Sequence, residues 1–541
     1  MTHPTISPLS TPSSSSTQKP ASKTPVLFAI CLAGIILPLS FVSGSIATPV
    51  ISRELGGSAQ ALSWITNAFM LSFGCFLMAA GALADEIGRK KVFIIGVSLF
   101  TLFSGLIGFS SSLLWIDLMR AAQGMAAAAA LAGGSASLAQ EFEGRAQLRA
   151  FSLLGSSFGV GLAFGPFLAG LLIAHFGWRA VFLSSMVIAL LSLSIGVTRV
   201  RESKNPQAAG IDWPGTLLFT AMLASLTWGL MEIPAYGAAS VQVLGLMALT
   251  VVLLTLFVWA EKRVRHPMLD LSLFRYARFI GVQALPLATA FAFVVLLVLL
   301  PMQFIGVAGM SEERAGLMMM ALSVPMLVVP LFAALLTRWI SAGLVCTAGL
   351  VISAGGLMWL SQAIASQTMS ATLLPMALIG IGIGLPWGLM DGLSISVVPK
   401  ERAGMATGIF STTRVAGEGI ALAIVGAMLA GFVGQSVAKL LANSENLLAS
   451  GGNLRASSGD LAVNLGSHGA SVAVQRLATG DVKQALLALP TSNAQQLTAV
   501  YADAFHQLLL WLAAITLISA VIVYAALCLK KEPAPQSIKE C

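Results

Sequence analysis

The sequence predicts an all-α membrane protein in which fourteen helices cross the bilayer. Three observations carry this. Of 541 residues, 57% are hydrophobic and 10% are charged, with a mean hydropathy of +0.88; a soluble chain of this length needs far more charge to cover its surface. The apolar residues fall in runs of about 20, the length of helix that spans a bilayer. The basic residues gather in short segments between alternate runs, as membrane topology demands.

Taken in order, residues 1–24 are rich in Ser, Thr and Pro and read as a disordered cytoplasmic tail. Their polar stretch is too long for a cleaved signal peptide. Spans follow near 25–46, 61–83, 92–111, 113–139, 149–174, 178–198, 213–233, 239–260, 279–306, 314–336, 343–363, 371–395, 403–434 and 504–529. An even number places both termini on one side. With the N-terminus inside, the cytoplasmic segments hold 21 of the 30 Lys and Arg residues, and the short outer loops hold three: Arg53, Arg179 and Arg314. That asymmetry predicts an orientation with both ends in the cytoplasm. The long outer connection, 435–503, contains two stretches with helical spacing of apolar positions, "SVAVQRLATGDVKQALLAL" and "NAQQLTAVYADAFHQ". They read as short amphipathic helices over the outer mouth, the alternative being a floppy connector.

Composition also excludes functions. Formal charge is +8, but Lys and Arg form no aromatic-interleaved patch, so no nucleic-acid partner is expected. The five cysteines show no CxxC or Cys/His spacing, and the five histidines are scattered; no metal site or disulfide framework follows. No Walker motif, metal-ligand cluster or nucleophile motif is present. The chain is therefore not expected to be an enzyme, to use ATP or to carry a cofactor.

The loop between spans 2 and 3, "GALADEIGRKKVF" (81–93), concentrates charge in an otherwise oily chain. Gly81 and Gly88 allow close approach and a tight turn. Asp85, Arg89 and Lys90 can pair with each other and with a neighbouring helix end, holding one conformation shut. Span 4 carries "RAAQG", with Arg120, Gln123 and Gly124; span 5 carries "GSSFGVGLAFGPFLAG", with Gly155, Gly159, Gly165, Pro166 and Gly170. These glycines permit close helix packing, and Pro166 bends its helix. Together with "GWRAVF", "DWPG", "HPMLDLSLFR" and "VPKERAGMATGIFSTTR", they make the chain resemble the fourteen-span drug:proton antiporters of the major facilitator superfamily, from about residue 25 to 434 and again over 501–529.

The resemblance implies two six-helix bundles, residues 25–198 and 278–529, rocking about a shared midplane site. Two extra helices and their flanking loops, 199–277, lie between them, and 530–541 is a cytoplasmic tail. It implies a multi-pass protein of a bacterial inner membrane that exchanges protons for a small molecule. It also ties the matching Arg120 to proton transfer and the span-5 bend at Pro166 to outward export. One departure stands out: the first-span acid and Asn of that family are matched by Ser40 and Ser45. Ala169 likewise replaces the first of two terminal glycines.

A charge inside a span is a functional candidate. Arg120 lies about two turns into span 4, where it can face the cavity, with Asp117 at i−3 as its helical partner. Arg414 and Glu418 are spaced i, i+4 on span 13 and can pair along one face. Asp391, in span 12, has no base near it in sequence and must find a partner, stay protonated or face water. These five are the coupling candidates. Met318, Met319, Met320, Phe291 and Phe293 are read as core or lipid-facing rather than as a pocket lining. The leading function is proton-driven export of amphipathic or hydrophobic compounds. The alternatives are a dedicated exporter of one metabolite, such as a siderophore, and a non-transporting receptor or assembly subunit whose outer loop docks a periplasmic adaptor.

Overall fold

The computed structural model describes residues 23–142, 144–203, 212–264, 269, 271–365, 369–398, 403–450, 472–489 and 493–529. Among them the ordered elements are helices, with no strand. The first group is α1 (Thr24–Leu55), α2 (Ala59–Ile87), α3 (Arg89–Gly108), α4 (Leu113–Glu141), α5 (Gly144–Phe176) and α6 (Arg179–Arg199), which pack chiefly on one another. A hairpin of α7 (Trp213–Tyr236) and α8 (Val241–Glu261) follows. The second group is α9 (Ala277–Val307), α10 (Glu312–Leu336), α11 (Ala342–Ala365), α12 (Leu373–Ser396) and α13 (Ala403–Ser450). Two short helices, α14 (472–478) and α15 (Val482–Ala488), lead to α16 (Ala494–Tyr524).

Local chemistry starts these helices. Ser58, Ser112, Ser240 and Ser311 each accept a bond from the backbone N–H three residues on, satisfying donors that the first turn leaves free. Asn493 and Gln496 close a reciprocal capping box at α16. Among the described residues, thirteen helices have the length and hydropathy to cross a membrane. The fourteenth, α4, is an Ala-rich helix of 29 residues that carries Asp117 and Arg120, which lower its hydropathy. At 1.5 Å per residue it is still long enough to span. Each expected span therefore corresponds to one helix.

α7 lies in the groove between the two groups. Its Met222 and Leu223 are buried with Cys75 of α2, against Leu71, Ala416 and Ile420. The rings of Trp64 and Trp228 meet edge to face at 6.4 Å. α9 is interrupted by two π-helical stretches, Ala290–Val294 and Met302–Val307, a feature that often marks functional segments. Met318, Met319 and Phe293 are core residues.

One end of the molecule, called the outer end after the charge pattern, joins the two groups. Arg53 pairs with Glu312 at 3.1 Å. Arg476 of α14 donates to Gly57 O at 2.8 Å. An added Cβ at Gly316 would stand 2.7 Å from Pro166 O, and one at Gly170 would collide with Glu312 O. The connection expected to begin at 435 does so later, because α13 runs on to Ser450. Ala473, Leu477 and Ala485 of the two short helices are fully buried, so this segment sits on the body of the protein.

Candidate functional site

The charged side chains of α12 and α13 meet where the two groups touch. Gly74 of α2 faces Ala416 of α13 so closely that a Cβ would lie 2.8 Å from the Ala416 Cα. Gly419 faces Met70 in the same way, at 3.6 Å. Arg414 and Glu418 flank this contact. Arg414 Nη1 donates to Asp391 Oδ1 and Oδ2 at 3.2 and 3.4 Å. Its guanidinium also lies 5.8 Å from the rings of Phe410 and of Phe158, the latter on α5 of the first group. Arg414 is 13% exposed and Asp391 is 52% exposed. Asp391 has thus found its partner 23 residues away on the next helix.

This corrects the expected Arg414–Glu418 pair. One turn separates them, but Arg414 turns to Asp391, and Glu418 forms no ion pair or hydrogen bond with a described residue. The site holds two carboxylates and one cation; Asp391 bonds the cation directly, and Glu418 acts on it only through its charge. Such a set can take up a proton without leaving the cation alone.

Arg120 also departs from expectation. It is fully buried within the first group rather than facing the interface. The stripe Arg120, Gln123, Gly124 points at α2, where Gly124 packs against Ser72 and Phe69 O, and so Arg120 follows it inward. Its Nε donates to Ile65 O at 2.8 Å, and Nη1 donates to Ser40 Oγ at 2.9 Å and Gln123 Oε1 at 2.6 Å. Gln123 Nε2 extends the chain to Ser104 Oγ at 2.7 Å. The guanidinium stands 4.3 Å from the Phe69 ring. Asp117, one turn back, acts on it only through its charge: Asp117 Oδ1 and Arg120 Nη2 are both buried without a hydrogen bond. Ser45 Oγ, at the position of the missing Asn, reaches Leu297 O of α9 at 3.2 Å, a bond between the two groups.

The charged turn has its own geometry. Gly88, with φ of +124°, makes the one-residue turn between α2 and α3, a conformation that favours glycine. Arg89 donates to Asp85 Oδ1 at 2.9 Å and to Gln140 Oε1 at 2.5 Å. Lys90 Nζ donates to Val197 O at 2.8 Å. These contacts fasten the inner ends of α2, α3, α4 and α6. Gly81 does not share the role; it lies within α2 with no atom near the position of a Cβ. Gly155 is likewise open, whereas Gly159 faces Met326 O at 3.2 Å and Gly165 faces Val42 and Leu39 of α1 at 3.5 and 3.6 Å.

Sequence reasoning passed over Glu232. It is buried on α7 and accepts from Trp228 Nε1 at 2.8 Å. An acid inside the apolar run 213–233 was the available signal.

Two helical groups meeting around a few intramembrane charges define a multi-pass membrane transporter. The model of the Major Facilitator Superfamily matches residues 28–422. The chain is 33% identical over 392 residues to "Multidrug resistance protein Stp" of Mycobacterium tuberculosis, covering 72% of each protein. It is 28% identical over 412 residues to "Tetracenomycin C resistance and export protein" of Streptomyces glaucescens, covering 76% of each. Among solved structures, the human organic anion transporter MFSD10 aligns with a TM-score of 0.57 at 13% identity, over 94% of this chain and 100% of that one. A D-xylose-proton symporter aligns at 0.55 and 15%, over 86% and 97%. The chain belongs to the major facilitator superfamily.

Proposed function

We propose that the protein exports amphipathic or hydrophobic compounds in exchange for protons. The observation that carries this reading is the Asp391–Arg414–Glu418 set at the contact between the two groups. The printed names of its relatives, which concern multidrug resistance and tetracenomycin C resistance and export, point the same way. In the cycle we infer, residues 25–198 and 278–529 rock as two bundles. The joined outer end corresponds to the state open to the cytoplasm, in a bacterial inner membrane with both termini inside. A proton arriving from outside neutralises Asp391 or Glu418, changes the claim on Arg414 and alters the fit of Phe158 against it. Each unit of pH gradient supplies about 1.4 kcal/mol. Asp85, Arg89 and Lys90 keep the inner ends of the first bundle together as it tilts. The packing of α14 and α15 on the body favours a cap over a docking arm for a periplasmic adaptor.

A dedicated exporter of one metabolite is the second reading. It is favoured by Ser40, which leaves Arg120 bonded to neutral groups where the resemblance leads one to expect an acid. Flux in proteoliposomes against a compound panel separates the two. Movement of several unrelated amphipathic compounds under a pH gradient supports the first, movement of one compound supports the second, and no movement under any gradient defeats both.

A further inference from the structure

Asp212 caps the start of α7 and Glu261 is the last residue of α8, so the hairpin brings two carboxylates together at its inner ends. They are 8% and 5% exposed. Each uses one oxygen on the backbone: Asp212 Oδ1 accepts from Gly215 N at 2.9 Å, and Glu261 Oε2 accepts from Leu269 N at 3.1 Å. The second oxygens, Asp212 Oδ2 and Glu261 Oε1, are buried without a partner. They face one small space. A Cβ on Gly215 would collide with Asp212 Oδ2 and stand 2.6 Å from Glu261 Oε1. Gly215 is not among the positive-φ glycines, so what demands glycine here is the room the two oxygens occupy.

No cation among the described residues pairs with either carboxylate. Lys262 and Arg263 follow Glu261, and the Arg263 guanidinium lies over the Trp259 ring at 4.1 Å. On α2, Asp85 is held by Arg89 and Glu86 is exposed. The part of α13 before Arg414 carries no charge, and Arg275 ends the short helix Leu271–Arg275. Arg265, His266 and Asp270 lie outside the described residues. Two like charges buried face to face resist joint ionisation. A divalent ion asks for about six oxygens; two free oxygens suit a single proton.

We propose that Asp212 and Glu261 form a one-proton site apart from the Asp391–Arg414–Glu418 set, and that the shared proton fastens the α7–α8 hairpin to the start of α9. The link runs through Glu261 to the Leu269 backbone. Leu269 packs on the cluster of Leu273, Phe279, Ala406 and Ile409, with Met78 of α2 against the same cluster. The joint touches both groups, and its strength follows the pH on its own side of the membrane. By linkage, a site that binds a proton more tightly in the folded state stabilises the protein at low pH, and that stability is lost as pH rises and the proton leaves.

The test reads stability, so it stands apart from the transport reading. The full-length protein in nanodiscs is melted from pH 6 to pH 9 as wild type, Asp212→Asn, Glu261→Gln and Gly215→Ala. Each amide variant keeps a hydrogen-bonding group and leaves one carboxylate with no like charge facing it, so the shared proton is lost. The wild-type melting midpoint is expected to fall relative to both amide variants across this range, by about 2 °C or more. Gly215→Ala separates the oxygens and is expected to flatten the profile in the same way. Parallel profiles for wild type and variants overturn the proposal. If neither amide variant can be recovered folded, the Gly215→Ala comparison decides alone.

Discussion

At the residue scale, Arg120 and Arg414 show two ways of keeping a guanidinium inside a membrane protein. Arg414 has a carboxylate, and Arg120 has a carbonyl, a hydroxyl, an amide and an aromatic face. Ser40→Ala removes one acceptor from a buried charge and is expected to cost about 1–3 kcal/mol, read as a lower melting midpoint in detergent. Asp391→Asn breaks the cross-helix pair and is expected to flatten the pH dependence of export more than Ser40→Ala does; equal pH profiles in a flux assay would remove Asp391 from coupling. The sequence revealed that these residues were charged and intramembrane, but not which way they point. Asp391 and Arg414 are 23 residues apart on different helices, so no helical spacing links them. The direction of Arg120 depends on Gly124 being pressed against α2, a packing fact that spacing alone does not carry.

At the scale of elements, the spans were legible almost completely, because bilayer thickness fixes their length and the basic residues fix their alternation. α13 is longer than its span. Its polar continuation past 434 stays helical, since leaving the apolar layer ends the hydropathy signal without ending the helix. The tight glycines of α5 and α10 give a state-specific prediction. Gly170→Ala and Gly316→Ala crowd Glu312 O and Pro166 O, contacts made when the outer end is joined. Both substitutions are expected to shift the protein toward the opposite state, seen as greater labelling of a cysteine placed at Ser45, which is fully buried here between the two groups. Asp85→Asn removes the negative charge of the Asp85–Arg89 ion pair. It is expected to lower transport several-fold while leaving the protein in the membrane, which immunoblotting of membranes against flux will check.

At the scale of the whole molecule, the two groups touch along α5 against α10, where Gly159 faces Met326 and Gly316 faces Pro166, and in three further places. The outer end is joined by Arg53–Glu312 and Arg476–Gly57, the middle by Ser45–Leu297, and one side by α2 against α13 with α7 covering the seam. The charged set on α12 and α13 lies at the last of these contacts. In the proposed cycle a proton bound at that set acts directly on the seam between the groups. The measurement that reaches this most directly is drug flux and internal pH recorded together in proteoliposomes for wild type, Asp391→Asn, Glu418→Gln and the double variant. Wild type is expected to move protons inward with drug outward, and the double variant is expected to lose proton movement and uphill transport together. Proton-driven uphill transport that persists in the double variant would contradict the assignment.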